Sequence, residues 1–269
     1  MTTQQTLSHL THLIVDMDGV LYRGREAIPG ADAFIGSLRK WGIGFVLATN
    51  NSTRTPQQYV DKLADMGITV YPHEVLTSAL ATADYLQGVA PPGARVFVIG
   101  RDGLRTALQE AGFILVEEEA EYVVVGMDTD LCYERLAEAT LQIRAGAAFI
   151  GTNPDKTFPS ERGIVPGNGA TLAFLEAATG VAPTVIGKPE AAMIKQALAR
   201  LGAKAATTAI VGDRLETDIL AGRRNGLHTI LVLSGITDRE MLAQSDLRPD
   251  WVFESVGDLV DNWSSAVDR

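Results

Sequence analysis

Two aspartates one residue apart, Asp16 and Asp18, end the apolar run Leu13-Ile14-Val15, and Gly19 follows directly. Like charges this close are costly to bury unless a cation neutralises them or a reaction uses them. Three more polar groups stand at the ends of apolar runs. Thr49 and Asn50 follow GFVLA in ATNNST, Lys188 lies in VIGKP, and Asp213 follows TAIVG with Asp218 five residues on. Clustered carboxylates can share a divalent cation, and a lysine or a helix N-terminus can attract an anion.

Singly, each fragment has an ordinary reading. Asp and Gly favour turns. An EF-hand loop is excluded because Val20 and Ala27 stand where calcium ligands belong. TNNST can cap a helix, GDRLETD can open one, and a lysine before proline is usually exposed. All four in this order, each at the end of an apolar run, point to one assembled site.

The elements that must position them alternate. Apolar runs at 13–16, 44–49, 96–100, 122–126, 147–151, 208–212, 228–233 and 251–253 read as strands. Helical spacing connects Phe34, Leu38 and Trp41, with Gly42 as a stop. Thr55-Pro56 opens a helix through Tyr59, Val60, Leu63 and Met66, and Pro189 opens one through Met193, Ile194, Ala197, Leu198 and Leu201. Nearly all-apolar strands alternating with helices predict a parallel sheet covered on both faces. Ligands bind such sheets beyond the strand carboxyl ends, where the strand order reverses. In the common order, the first strand and the 208–212 strand flank that point, so Asp16 and Asp213 would face one another and share a divalent cation.

There are more strands than one compact sheet needs. Boundaries near 80 and 182 give a discontinuous core, 1–79 and 183–269, with an inserted α/β domain at 80–182. The chain has 23 basic and 33 acidic residues among 269, a net charge of −10. That balance disfavours nucleic acid and anionic membrane as partners. Cys132 is the single cysteine, no stretch has the length and apolarity of a membrane span, and the first residues lack a signal-peptide pattern, so the expected location is cytoplasmic. His9, His12, His73 and His228 show no metal-ligand spacing. Cys132 reads as helix packing, EEEAE at 117–121 as a solvated turn, and VIGRDGLRTAL as scaffolding of the insert.

Together DMDGVLY, ATNNST, GKP and GDRLETDI resemble the four motifs of the haloacid dehalogenase superfamily. The insertion between the second and third motifs, and GTNPD at 151–155, resemble its p-nitrophenyl phosphatase or NagD-like branch. The similarity runs from about residue 11 to 235. It implies an α/β fold, a Rossmann-like doubly wound core with an inserted α/β cap, and Mg²⁺-dependent hydrolysis of small phosphate monoesters. By this resemblance Asp16 is the nucleophile and Asp18 the acid/base; Gly19, Thr49, Asn50 and Lys188 bind substrate. Lys188 also pairs with Asp16. Mg²⁺ would be held by the Asp16 carboxylate, the Asp18 backbone carbonyl and Asp213, with Asp218 on a metal-bound water or just outside. The second aspartate favours a phosphatase over a dehalogenase, since expelled halide needs no proton. The rival readings are a phosphate-ester-binding regulatory protein and a phosphomutase on the same scaffold. GMDTD (126–130), GTNPD and the ERGIVPGNG loop (161–169) are the expected rim of the cap, and pairing through the cap is the expected mode of any homo-oligomer.

Overall fold

Residues 7–160 and 163–267 of the computed structural model are described, with side chains over 7–158 and 163–263. All eight apolar runs form strands, and they sort into two sheets. The first has the order Trp251–Phe253, His228–Val232, Thr208–Gly212, His12–Val15, Gly44–Thr49, Val75–Thr77. Numbered along the chain, that order is 6-5-4-1-2-3, the doubly wound arrangement. The ladders from Trp251–Phe253 to Gly44–Thr49 are parallel, with Val15 opposite both Val211 and Leu47. The reversal falls between His12–Val15 and Thr208–Gly212, as the sequence predicts. These strands lack polar alternation because both faces are covered: Leu13, Ile14, Val15, Ile210 and Val211 are all fully buried.

The second sheet has the order Thr184–Val185, Ala148–Gly151, Tyr122–Val125, Arg95–Ile99, Ile114–Leu115, again parallel throughout. Phe97, Val123, Val125 and Phe149 from this sheet pack with Ile143 of Tyr133–Arg144 and with Leu172 and Leu175 of Asn168–Thr179. Both domains are therefore α/β.

By internal packing the chain divides into one unit of residues 1–48, 60–75 and 194–269, and a second of 49–59 and 76–193. Asp16, Asp18, Asp213 and Asp218 belong to the first, and Thr49, Asn50 and Lys188 to the second. Among the described residues no helix is long and apolar enough to cross a membrane.

Several expectations are corrected. Pro189 does not open a helix: it sits in a turn after a cis Lys188–Pro189 peptide, and the helix runs Ala191–Leu201. Met66 lies beyond the helix Pro56–Ala64. Cys132 is exposed just before Tyr133–Arg144, not packed within a helix. In the 161–169 loop, residues 161 and 162 lie outside the described residues. Gly163–Pro166 is a strand pairing antiparallel with Thr157–Ser160, and Asn168 already begins a helix.

Candidate active site

Asp16 stands one residue past His12–Val15, and its N–H extends the ladder by donating to the Val211 carbonyl at 2.8 Å. Asp213 stands one residue past the neighbouring strand. Asp218 is returned to the same place by the wide turn Leu215–Ile219. One carboxylate oxygen from each of the three lies within 4.8 Å of the others, and all three side chains are buried, at 9%, 2% and 1% exposure for Asp16, Asp213 and Asp218. Two unit negative charges at about 4–5 Å repel by roughly 3–4 kcal/mol at an effective dielectric near 20. Neutral donors orient the carboxylates. The Ile236 N–H donates to Asp213 Oδ2 at 2.7 Å, and the Arg214 N–H and the Thr217 hydroxyl donate to Asp218 Oδ2 at 3.2 and 3.4 Å. Three buried carboxylates converging on one point are the donor chemistry of a hard divalent cation such as Mg²⁺, and the residues fit it.

Glycines make the room. A Cβ on Gly235 would lie 1.9 Å from Asp213 Oδ2, one on Gly19 2.4 Å from the same oxygen, and one on Gly212 2.2 Å from the Asp218 Cβ. Gly19 also has φ +81°, where side chains are strained. The sequence reading gives Gly19 to substrate, but its N–H donates to the Tyr22 carbonyl at 2.8 Å, so clearance for Asp213 is what requires glycine here.

Asp18 contributes no carboxylate to the cluster. Burial pushes its carboxyl above the ordinary aspartate range, opposed by the Lys62 and Arg214 charges and the Gly19 N–H. Lys62 is held over the Tyr22 ring, 3.5 Å from the centroid. The Ser234 hydroxyl donates to the Gly19 carbonyl at 2.7 Å, and Arg23 donates to the Ser234 carbonyl, tying the turn in place. A carboxyl shifted upward by burial is the kind of group that acid/base chemistry uses.

In the second unit, Thr49 is the last residue of its strand and is buried. Its Oγ1 accepts from the Asn51 N–H at 3.1 Å, leaving the hydroxyl hydrogen for a ligand. Lys188 is 2% exposed. The Asn50 amide clamps the backbone of Lys188: Oδ1 accepts from the Lys188 N–H at 2.8 Å, and Nδ2 donates to the Lys188 carbonyl at 2.8 Å and to Asp155 Oδ1 at 3.0 Å. Both amide hydrogens are thus engaged, so the expected donation from this amide to a phosphoryl group is replaced by a hold on Lys188. The Asn50 carbonyl accepts from Asn153 Nδ2 at 2.7 Å and the Ser78 hydroxyl at 2.5 Å. Asn168 Nδ2 donates to the Asn153 carbonyl at 2.8 Å. Sequence reasoning missed Ser78, and it placed GTNPD and Asn168, within the 161–169 loop, at the rim of the cap without naming a partner for either. The motif was visible, but nothing in its spacing names a partner about a hundred residues away. Asp128 and Asp130 of GMDTD both pair with Arg101 in this unit.

Known proteins resemble this chain in sequence and fold. The chain matches the haloacid dehalogenase-like hydrolase family over residues 13–114 and the HAD-hydrolase-like family over 185–259. The acid sugar phosphatase of Staphylococcus aureus is 44% identical over 248 residues, covering 92% of this chain and 95% of that protein. The structure of NagD from Escherichia coli K-12 superposes with a TM-score of 0.86 at 37% identity, over 92% of this chain and 97% of that one. Glycerol phosphate phosphatase from Mycobacterium tuberculosis, in complex with magnesium, gives 0.87 at 34% identity, over 94% and 77%. With identity this high over nearly the whole chain, the protein belongs to the haloacid dehalogenase-like hydrolases and, among them, to the NagD-like phosphatases.

Proposed function

We propose that the protein hydrolyses small phosphate monoesters, sugar phosphates first among them, with Mg²⁺ and through an aspartyl-phosphate on Asp16. The observation that carries this is the buried Asp16, Asp213 and Asp218 cluster at the switch point, with Asp18, whose carboxyl is shifted upward by burial, two residues from Asp16. A bound cation supplies neutralisation of the phosphoryl oxygens and of the cluster itself. Asp16, Asp213 and Asp218 would hold it, with the Asp18 carbonyl.

An Asp16 carboxylate oxygen attacks phosphorus and the ester P–O bond breaks. The departing alkoxide takes the Asp18 proton. Asp18, now a carboxylate, removes a proton from water, which attacks phosphorus and breaks the bond to Asp16. Inorganic phosphate leaves, Asp16 is again a carboxylate and Asp18 again carries a proton. The Thr49 hydroxyl donates to the phosphoryl group, Lys188 pairs with it, and Asn50 positions Lys188.

The sugar-phosphate assignment is supported by the names of two relatives, one acting on sugar phosphates and one on glycerol phosphate. Both substrate classes leave as poor alkoxides, which gives Asp18 its purpose. Residues 80–182 are proposed as the cap that chooses among esters, within the core 1–79 and 183–269. Exposed Tyr133, Leu141 and Phe174 on its helices are the surface proposed for homo-oligomer pairing. A cytoplasmic location suits the single cysteine.

A panel of phosphate monoesters with Mg²⁺, read by phosphate release, tests the reading. Sugar and polyol phosphates should be turned over best. No Mg²⁺-stimulated release from any monoester would overturn it.

A further inference from the structure

The polar network around Asn50 runs through residues that the proposed chemistry does not use. Asn153 is 3% exposed and its side chain makes three hydrogen bonds: Nδ2 donates to the Asn50 carbonyl at 2.7 Å and to Thr152 Oγ1 at 3.3 Å, and Oδ1 accepts from the Asp155 N–H at 3.2 Å. Asp155 Oδ1 receives the Asn50 amide at 3.0 Å. The neighbouring carbonyl of Thr152 accepts from the Gly187 N–H at 2.9 Å. The contacts are close enough to exclude a side chain at 187, where a Cβ would lie 2.6 Å from both Asn50 Oδ1 and the Thr152 carbonyl oxygen.

Lys188 is therefore held at its N–H, at its carbonyl and at the preceding N–H. Every one of those bonds comes from Asn50 or from the turn after the strand Ala148–Gly151. An amide side chain holding the N–H and C=O of one distant residue acts like a strand partner, and its grip depends on what orients the amide. Asp155 Oδ1 accepts from that amide, while Asn153 holds the Asn50 backbone carbonyl and the Asp155 N–H. A buried amide group with all its hydrogen bonds made is costly to disturb and holds one geometry.

We propose that Asn153 and Asp155 of GTNPD are positioning residues for Lys188. The inserted sequence would thereby set the rate of phosphoryl transfer as well as the choice of ester. This rests on the role of Lys188 given under Proposed function. Small misplacements of a catalytic group can cost about 10²-fold in rate without touching the reacting atoms.

The test is a double-mutant cycle between Asn153→Asp and Lys188→Met, measured as single-turnover hydrolysis of p-nitrophenyl phosphate with the full chain and saturating Mg²⁺. Asn153→Asp removes the donor to Asn50 and keeps the size. Its rate should fall about 10- to 100-fold, with KM changed far less than kcat. The Mg²⁺-dependent rise in melting temperature, which reads the aspartate cluster, should persist and shows that the variant is folded. In the Lys188→Met background the same substitution should cost almost nothing, because the group it positions is gone. Asn153→Ala serves if the aspartate variant fails to fold.

An equal loss in both backgrounds would mean a general structural role and overturn the inference. So would a wild-type rate in folded Asn153→Asp or Asn153→Ala. A wild-type rate in Lys188→Met itself would instead remove the underlying reading of the site, and the inference with it.

Discussion

The two polar clusters are built on opposite principles. Around Asp16, Asp213 and Asp218, three carboxyl groups converge in a buried place, and glycines clear the space for them. The Ile236 and Arg214 N–H groups and the Thr217 hydroxyl orient Asp213 and Asp218. Around Asn50 and Lys188, neutral amides and hydroxyls meet one another's donors and acceptors across the chain, and a single cationic side chain is held in the middle. The first cluster offers the oxygen donors of a divalent cation. The second is a hydrogen-bonded network that holds the backbone of Lys188. An acidic protein can thus handle an anionic substrate because attraction is confined to these places, whatever the net charge of −10 does at long range.

Breaking the first cluster should have the largest effect. Asp16→Asn removes the proposed attacking oxygen, and turnover should fall by roughly 10⁶-fold, the scale seen when a covalent nucleophile is removed. Steady-state kinetics on p-nitrophenyl phosphate reads it directly.

Removing the cation comes next. EDTA should abolish turnover, and Mg²⁺ should restore it. Because the ion binds only the folded cluster, Mg²⁺ at a hundred times its dissociation constant should add about 2.7 kcal/mol of stability. A thermal melt reads the rise, and Asp213→Asn should erase it.

The comparison sharpens at Lys188. Lys188→Met should slow turnover about 10²- to 10³-fold, as loss of one electrostatic stabiliser does. The Mg²⁺-induced rise in melting temperature should be left intact. Loss of both together would show that the two clusters do not divide the work as described.

A smaller effect belongs to Gly235. Gly235→Ala places a methyl where Asp213 Oδ2 now lies, at 1.9 Å. The carboxylate must shift, and Mg²⁺ affinity by calorimetry should weaken about 10- to 100-fold. Rate at saturating Mg²⁺ should recover most of its value. The smallest effect is expected outside both clusters. Arg95→Gln breaks an exposed pair with Glu119, and stability should stay within about 0.5 kcal/mol of wild type by chemical denaturation.

Much of the first cluster was legible in the sequence, and the reason is physical. Strands buried on both faces must be apolar nearly throughout, so Asp16 and Asp213 stand out as the residues where burial by sheet ends. The doubly wound order then brings those ends together. The short strands Val75–Thr77 and Thr184–Val185 were not legible, because two or three residues carry no period. Cys132 was misplaced because the rule that free cysteines are buried ignores its position at a helix start. The second cluster was half legible. Lys188 and Thr49 appear in recognisable motifs. The bonds from Asn50 to Asp155 and to Lys188 span 105 and 138 residues, and such pairings leave no trace in local pattern.

The central claim is that Asp16 carries the phosphoryl group. The direct measurement uses Asp18→Asn, which keeps the nucleophile but cannot activate water against the intermediate. Mixed with p-nitrophenyl phosphate and Mg²⁺, it should release a burst of nitrophenol close to one equivalent per site, then turn over slowly. Acid quenching during the slow phase, followed by peptide mass spectrometry, should find the mass of one phosphoryl group on Asp16, and none in the Asp16→Asn, Asp18→Asn double variant. A burst that persists in the double variant, or a phosphoryl group on any other residue, would contradict the assignment.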